Sequence, residues 1–394
     1  MPEADQKGYL FYKKKVRDNL SPQTLYTDAE VENIIFQTMA AENKTTYLSL
    51  RERTGIGKRI FHALRGLDVL QPLMEDPDIT DIMVNGPECI YYEKGGKICR
   101  SPQVFESVER LEDVIQQIVG AVNRIINEAN PIVDARLPDG SRVNAVFPPA
   151  ALNGPVLTIR RFRENPITLE ELTNWGTITE EAAEFLKQAV CRRYNIFVCG
   201  GTASGKTTLL NVLSNFIPAQ ERIITIEDTA ELRLRGSENI VSLETRNNNV
   251  EGKGAITMRD LIRTSLRMRP DRIIVGEVRG AEALDMLQAM NSGHDGSLST
   301  GHGNSCRDML SRIETMVLMG AELPLTAVRQ QMASAIDLMV FVRRGVGGKR
   351  YVDEIVQIVG YEKDNVQLEN LFERQGGKLV RLAATLCRQK GEEI

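Results

Sequence analysis

Between residues 79 and 100 apolar and polar positions take turns. The stretch DITDIMVNGPECIYYEKGGKIC alternates around two turn signals, Asn85-Gly86-Pro87 and Gly95-Gly96. A period of two points one side chain inward and the next outward, which predicts antiparallel strands joined by tight turns. The period then changes. In LEDVIQQIVGAVNRIINEAN, residues Val114, Ile115, Ile118, Val119, Val122, Ile125 and Ile126 share one helical face, and Pro131 closes the helix. DARLPDGSRVNAVFPP reads as a hairpin with Pro-Asp-Gly at its turn, and GPVLTIRRF as another strand. The mixture predicts an α+β domain over 50–163.

A second regime starts near residue 178 with the helical pattern TEEAAEFLKQAVCRRY. Short apolar runs then alternate with helical ones. The expected strands are 196–199, 222–227, 272–276 and 297–300, and the expected helices 205–217, 257–268, 281–290 and 306–318. Alternation of this kind predicts an α/β domain, a parallel sheet with helices on its faces, over 178–394. LMVFVRR and RYVDEIVQIVGYE flank Gly345-Val346-Gly347-Gly348 and read as a late hairpin. Between the two regimes, 164–177 reads as a linker. There Asn165-Pro166 breaks the strand, and Thr168 with Glu171 forms a capping box for a short helix. Residues 1–48 are polar and mixed and read as a leader or docking segment, with a short helix in TDAEVENIIFQTMAAE.

Composition narrows the class. A length of 394 residues allows two or three domains. Net charge is −4 and aromatics are 5%, so there is neither a global basic field nor a supply of base-stacking platforms, and no nucleic-acid partner is expected. The cysteines at 89, 99, 191, 199, 306 and 387 form no C-x-x-C pair, which fits reduced thiols better than zinc or disulfides. Lys13-Lys14-Lys15 is followed by no apolar signal region, and no run approaches the ~18 apolar residues that span a bilayer.

The chemistry begins in NIFVCGGTASGKTTLLNVL, residues 195–213. Gly200, four residues, then Gly205-Lys206-Thr207 fit a phosphate-binding loop, with an apolar strand entering and a helix leaving. Backbone N–H groups at a helix N-terminus favour anions. The expected phosphate contacts are Gly200, Gly201, Thr202, Ala203, Ser204, Gly205, Lys206, Thr207 and Thr208. Lys206 should reach the β and γ phosphates and Thr207 should bind Mg²⁺. In RIIVGEVRG, Glu277 ends an apolar strand and can hold Mg²⁺ or polarise water. In RIITIEDTAEL, Glu227-Asp228 ends another. Which glutamate holds metal and which activates water is open at this level. GHDGSLSTGHGNS carries His294 and His302, each flanked by glycine; His302 is the stronger candidate for sensing a γ-phosphate. Arg142, Arg160 and Arg161 lie on strands near the connector and could stabilise transition-state charge. Arg263, Arg267, Arg269, Arg272 and Arg279 bracket the Glu277 strand, and surface salt bridges are the expectation for most of them.

In order, GGTASGKTT, TIEDTAEL, RIIVGEVRG and SLSTGHGNS resemble the Walker A, Asp, Walker B and His boxes of the type II/type IV secretion ATPase superfamily. Upstream, PIVDARLPDGSRVNAVFPP and its neighbours resemble the N-terminal domain of the CpaF-type branch, which drives Flp (tight-adherence) pilus assembly. The resemblance covers about residues 60–360. It implies a RecA-like P-loop ATPase domain behind a smaller α+β domain, and a homohexamer with ATP and Mg²⁺ between the two domains. It also implies a cytoplasmic protein, peripheral at the inner face of the membrane, that acts on a polytopic platform protein. Lys206 and Thr207 would bind ATP and Mg²⁺, Glu227 would be the Asp-box acid, Glu277 the Walker B glutamate and His302 the His-box residue. Arg142, Arg160 and Arg161 would contact phosphate. Cys306 stands where proline is expected. A conjugation or archaeal pilus motor, a nucleic-acid translocase and a non-hydrolysing adaptor are the alternatives; Lys206, Glu227 and Glu277 speak against the last.

Overall fold

The computed structural model describes residues 3–21, 23–42, 49–161, 166–246, 254–382, 386–388 and 390. The chain divides into two compact units, residues 1–163 and 164–394. Their junction, with Asn165 of the expected strand break, lies outside the described residues.

The first unit opens with three helices, α1 (Glu3–Asp18), α2 (Asp28–Glu42) and α3 (Leu50–Arg65). Tyr9, Tyr12, Val16, Val31, Ile35, Met39, Ile56 and Ile60 form their shared core. The stretch read as a polar leader therefore supplies two helices of a packed bundle. Its apolar residues are sparse along the chain, but at helical spacing they converge on one stripe. Ser49 and Glu52 cap α3 reciprocally.

Next come α4 (Gln71–Glu75), β1 (Ile79–Asn85), β2 (Ile90–Lys94), β3 (Lys97–Arg100), α5 (Val108–Gly120), β4 (Ile132–Arg136), β5 (Arg142–Val146) and β6 (Val156–Arg160). The six strands form an antiparallel sheet in the order β3-β2-β1-β6-β5-β4. Helix α5 stops about ten residues short of the expected end at Pro131. Asn123 turns left-handed at φ 56°, which ends a helix in the manner of an αL cap. Ile126 still reaches the core, but Ile125 is exposed.

The second unit contains α6 (Leu169–Asn174), α7 (Glu180–Cys191), β7 (Ile196–Gly200), α8 (Lys206–Ser214), β8 (Ile223–Glu227), β9 (Ile240–Glu244), α9 (Met258–Ser265), β10 (Arg272–Val278), α10 (Glu282–Asn291) and β11 (Leu298–His302). It continues with α11 (Cys306–Gly320), α12 (Leu325–Ala335), β12 (Leu338–Arg344), β13 (Arg350–Glu362), β14 (Asn365–Gln375) and β15 (Lys378–Arg381). Thr168 and Glu171 make the expected capping box on α6. One nine-stranded sheet runs β15-β14-β13-β12-β7-β11-β10-β8-β9. The six strands from β12 to β9 are parallel, and β13 to β15 add an antiparallel extension. Hydrophobic clusters cover both faces, one including α9 to α12 and the other including α7 and α8. Sequence periodicity did not separate β9, β14, β15 or α12. No residue of β9 is buried, and its alternation, Val241 and Leu243 half-buried against exposed Ser242 and Glu244, spans only four residues.

One buried pair holds the sheet end opposite the phosphate loop. Arg272, fully buried at the start of β10, is bound through Nε and Nη2 to Glu221 and donates to the Gly296 carbonyl at 3.1 Å. Removing Arg272 takes away the bidentate partner of the buried Glu221 carboxylate and leaves it the longer contact to half-exposed Arg193 at 3.4 Å. Arg272→Ala is expected to destabilise the second unit by about 3–5 kcal/mol. Urea denaturation of the full chain checks this: the transition of the second unit should move to lower urea. No described helix is long and apolar enough to cross a membrane.

Candidate active site

Strand β7 is buried along its whole length and delivers Gly200 to the C-terminal edge of the sheet. A Cβ on Gly200 would sit 2.2 Å from the Val342 carbonyl oxygen of neighbouring β12, so only glycine fits. Gly201 differs. Nothing lies within 4 Å of its missing Cβ, so any need for glycine there comes from a ligand. Ala203 (φ 56°) and Gly205 (φ 98°) are left-handed and turn the chain sharply into α8. The first-turn N–H groups of α8 thus face the loop, as phosphate binding requires. Ser204 is buried, and its Oγ has no partner among the described residues.

Sheet order sets the rest of the site. Strand β11 lies between β7 and β10, with His302 opposite Gly200 on one side and Gly301 opposite Val278 on the other. His302 is thereby wedged between the loop and Glu277. Lys206 Nζ donates to the Gly201 carbonyl at 2.9 Å and lies 3.2 Å from His302 Nδ1. An ammonium cannot accept, so Nδ1 is the acceptor and the ring proton sits on Nε2. That nitrogen is 2.7 Å from Glu277 Oε1. Burial holds the His302 pKa below the usual histidine value, and the Lys206 charge lowers it further against the pull of Glu277. Burial also lowers the pKa of Lys206, with Glu277 opposing.

Glu277 Oε2 accepts from Arg279 Nη2 at 2.7 Å and Nε at 3.1 Å, and Arg279 Nη1 reaches Asp228 Oδ2 at 3.1 Å. A chain of close polar contacts runs Lys206, His302, Glu277, Arg279, Asp228. Its members come from three strand ends, β8, β10 and β11, and one helix start. Sitting beside a phosphate loop, it can bind an anion, orient a water and neutralise charge.

A family model described as "Type II/IV secretion system protein" matches residues 64–360. The chain belongs to this family. It is an ATP-hydrolysing enzyme of the type II/IV secretion class. Among relatives, the type IV secretion system protein PtlH of Bordetella pertussis is 36% identical over 318 residues, covering 73% of this chain and 93% of that protein. The type IV secretion system protein VirB11 of Brucella suis is 33% identical over 318 residues, covering 73% and 88%. The crystal structure of the ATPase DotB of Legionella pneumophila shares the fold, with TM-score 0.51 at 20% identity, covering 73% of this chain and 79% of that one.

Within this type II/IV secretion family member, the strand-end acids divide differently from the sequence reading. Glu227 is buried, and its Oε1 accepts from the backbone N–H groups of Glu231 and Leu232 at 2.9 and 3.2 Å. It braces the loop after β8, while Asp228 joins Arg279. Only the tertiary structure says which of the two acids meets the chain. His294 bonds locally with Ser292 and the Ala289 carbonyl, at the other end of β11. Of the bracketing arginines, Arg263 pairs with Asp285 and Arg272 with Glu221, while Arg279 enters the site. The proline expected at 306 could not donate the hydrogen bond that Cys306 N–H makes to Glu354 Oε1 at 2.8 Å.

In the first unit, Arg161 donates through Nη1 to the Asp76 and Ile79 carbonyls and ties the start of β1 in place. Arg142 and Arg160 sit directly opposite each other on β5 and β6, and Arg136 on β4 extends the row. Arg160 also pairs with Asp81 at 3.5 Å. The three arginines thus form a row across β4, β5 and β6. Arg136 is the member that sequence reading missed; strand register revealed it.

Proposed function

We propose that this chain is a ring-forming ATPase motor that drives Flp-type pilus assembly or protein export at the inner face of the cell membrane. The Lys206–His302–Glu277 chain beside the phosphate loop carries the reading. Lys206 exchanges the Gly201 carbonyl for nucleotide phosphate. Glu277 orients the attacking water and accepts its proton. Arg279 and Asp228 hold Glu277 in place, and His302, touching both Lys206 and Glu277, reports on the γ-phosphate. The Thr207 hydroxyl and Glu277 carboxylate suit Mg²⁺, which usually takes one or two protein oxygens and completes its shell with waters and substrate phosphates. When bound it would neutralise charge on the β and γ oxygens. The row of Arg136, Arg142 and Arg160 is assigned to phosphate contact, from the same subunit or from a neighbour in a homohexamer. PtlH and VirB11, both named as type IV secretion proteins, support a machine of this kind.

Light scattering after size exclusion, with and without ATP, tests the ring. A six-fold mass is expected with ATP, and Arg142→Ala should keep that mass while lowering turnover by about 10²–10³-fold. A monomer at every protein concentration with ATP present would overturn the ring. Stimulation of the ATPase by anionic vesicles carrying a platform membrane protein is expected, and stimulation by single-stranded DNA alone would favour the translocase reading.

A further inference from the structure

The phosphate loop has neighbours on both sides. On one side stands β11 with His302. On the other stands β12, whose Val342 pairs with Gly200. The turn that follows β12 therefore emerges at the same edge of the sheet as the loop. Arg350, the first residue after that turn, donates from Nε to the Ala203 carbonyl at 3.0 Å. Its Cδ lies 3.4 Å from where a Cβ on Gly205 would be. The side chain thus lies across the left-handed part of the loop.

Three observations single it out. First, the turn is braced. Gly345 N–H donates to the Lys349 carbonyl at 2.8 Å, and the Tyr351 ring sits beneath Arg374 (4.7 Å) and Arg343 (5.8 Å) with its hydroxyl against Gly345. A braced arginine loses little freedom on taking a ligand. Second, Lys206 holds the Gly201 carbonyl and Arg350 holds the Ala203 carbonyl. Both cations are thereby anchored on the backbone of the loop itself, at carbonyls two residues apart. Third, the other cations at the site have counter-groups. Lys206 faces His302, and Arg279 faces Glu277 and Asp228. Among the described residues, the Arg350 side chain makes no hydrogen bond or ion pair beyond Ala203, and the residue is exposed. Its two terminal nitrogens lie at the phosphate loop and are not engaged by another described side chain.

We propose that Arg350 is a nucleotide-phosphate ligand, supplied by the C-terminal hairpin to the loop of its own chain. The inference rests on the ATP-hydrolase reading of that loop. A guanidinium fork matches phosphate geometry, and the Ala203 contact leaves the two terminal nitrogens for it. The hairpin thereby becomes part of the nucleotide site rather than a sheet extension alone.

Calorimetric titration of the full-length protein with ADP and with ATP tests this. Arg350→Ala should weaken both nucleotides by about ten-fold or more, with the nucleotide-free melting temperature unchanged. Arg350→Lys should recover part of the loss, because it keeps the charge. Affinity equal to wild type in Arg350→Ala overturns the proposal. So does a loss of affinity matched by a lower nucleotide-free melting temperature, which would make Arg350 a brace for the loop. A wild-type protein that binds neither nucleotide would overturn the ATP reading itself, and is distinguishable from both.

Discussion

Lys206→Ala is expected to lower ATP turnover by about three orders of magnitude or more while the protein stays folded. One preorganised donor aimed at developing charge is typically worth about 10²–10³ in rate, and Lys206 also brings a full positive charge into a partly dry site. The fold should tolerate the loss. Lys206 lies on the first turn of α8, its side chain is hydrogen-bonded among the described residues to the Gly201 carbonyl and His302, and alanine favours the helix. His302 loses a donor but keeps Nε2 on Glu277. A phosphate-release assay beside a thermal melt gives the answer. Normal turnover in Lys206→Ala would sink the assignment of the site.

Glu277→Gln is expected to reduce turnover by about 10²–10⁴-fold, the usual worth of a positioned general base, while ATP affinity holds or rises. Glutamine can still accept from Arg279, while its NH2 replaces the oxygen that faces His302 Nε2–H, so the Arg279 contact survives and the basicity does not. Single-turnover kinetics with ATP separates the two effects. Unchanged single-turnover rates would move water activation elsewhere, and Asp228, joined to Glu277 through Arg279, would be the first place to look. Glu227 is a weaker choice, because its carboxylate is engaged with the Glu231 and Leu232 amides.

Much of this was legible in the chain. Local periodicity marked β1 to β6, the strand–helix alternation of the second unit and the capping box at Thr168, because each depends on neighbours a few residues apart. The phosphate loop was legible for the same reason: a strand, a glycine turn and a helix start are contiguous. Where a single local feature intervened the reading slipped, as with the left-handed Asn123 that ends α5 early. Residues 1–48 misled because a three-helix core needs few apolar residues per helix, and their convergence is visible only once the helices pack.

The sequence by itself determined which residue types stand at strand ends: Lys206 after Gly205, Glu277 after IIVG, His302 between glycines. Tertiary structure alone decided which of them meet. Strand order is not encoded in local period, and the insertion of β11 between β7 and β10 is what sets His302 against both Lys206 and Glu277. The same holds for Asp228 over Glu227, for the arginine row aligned by strand register, and for Arg350, which reaches Ala203 from 147 positions along the chain. Contacts of that span are fixed by how sheets assemble, through burial of both faces at once, and no short window of residues carries that information.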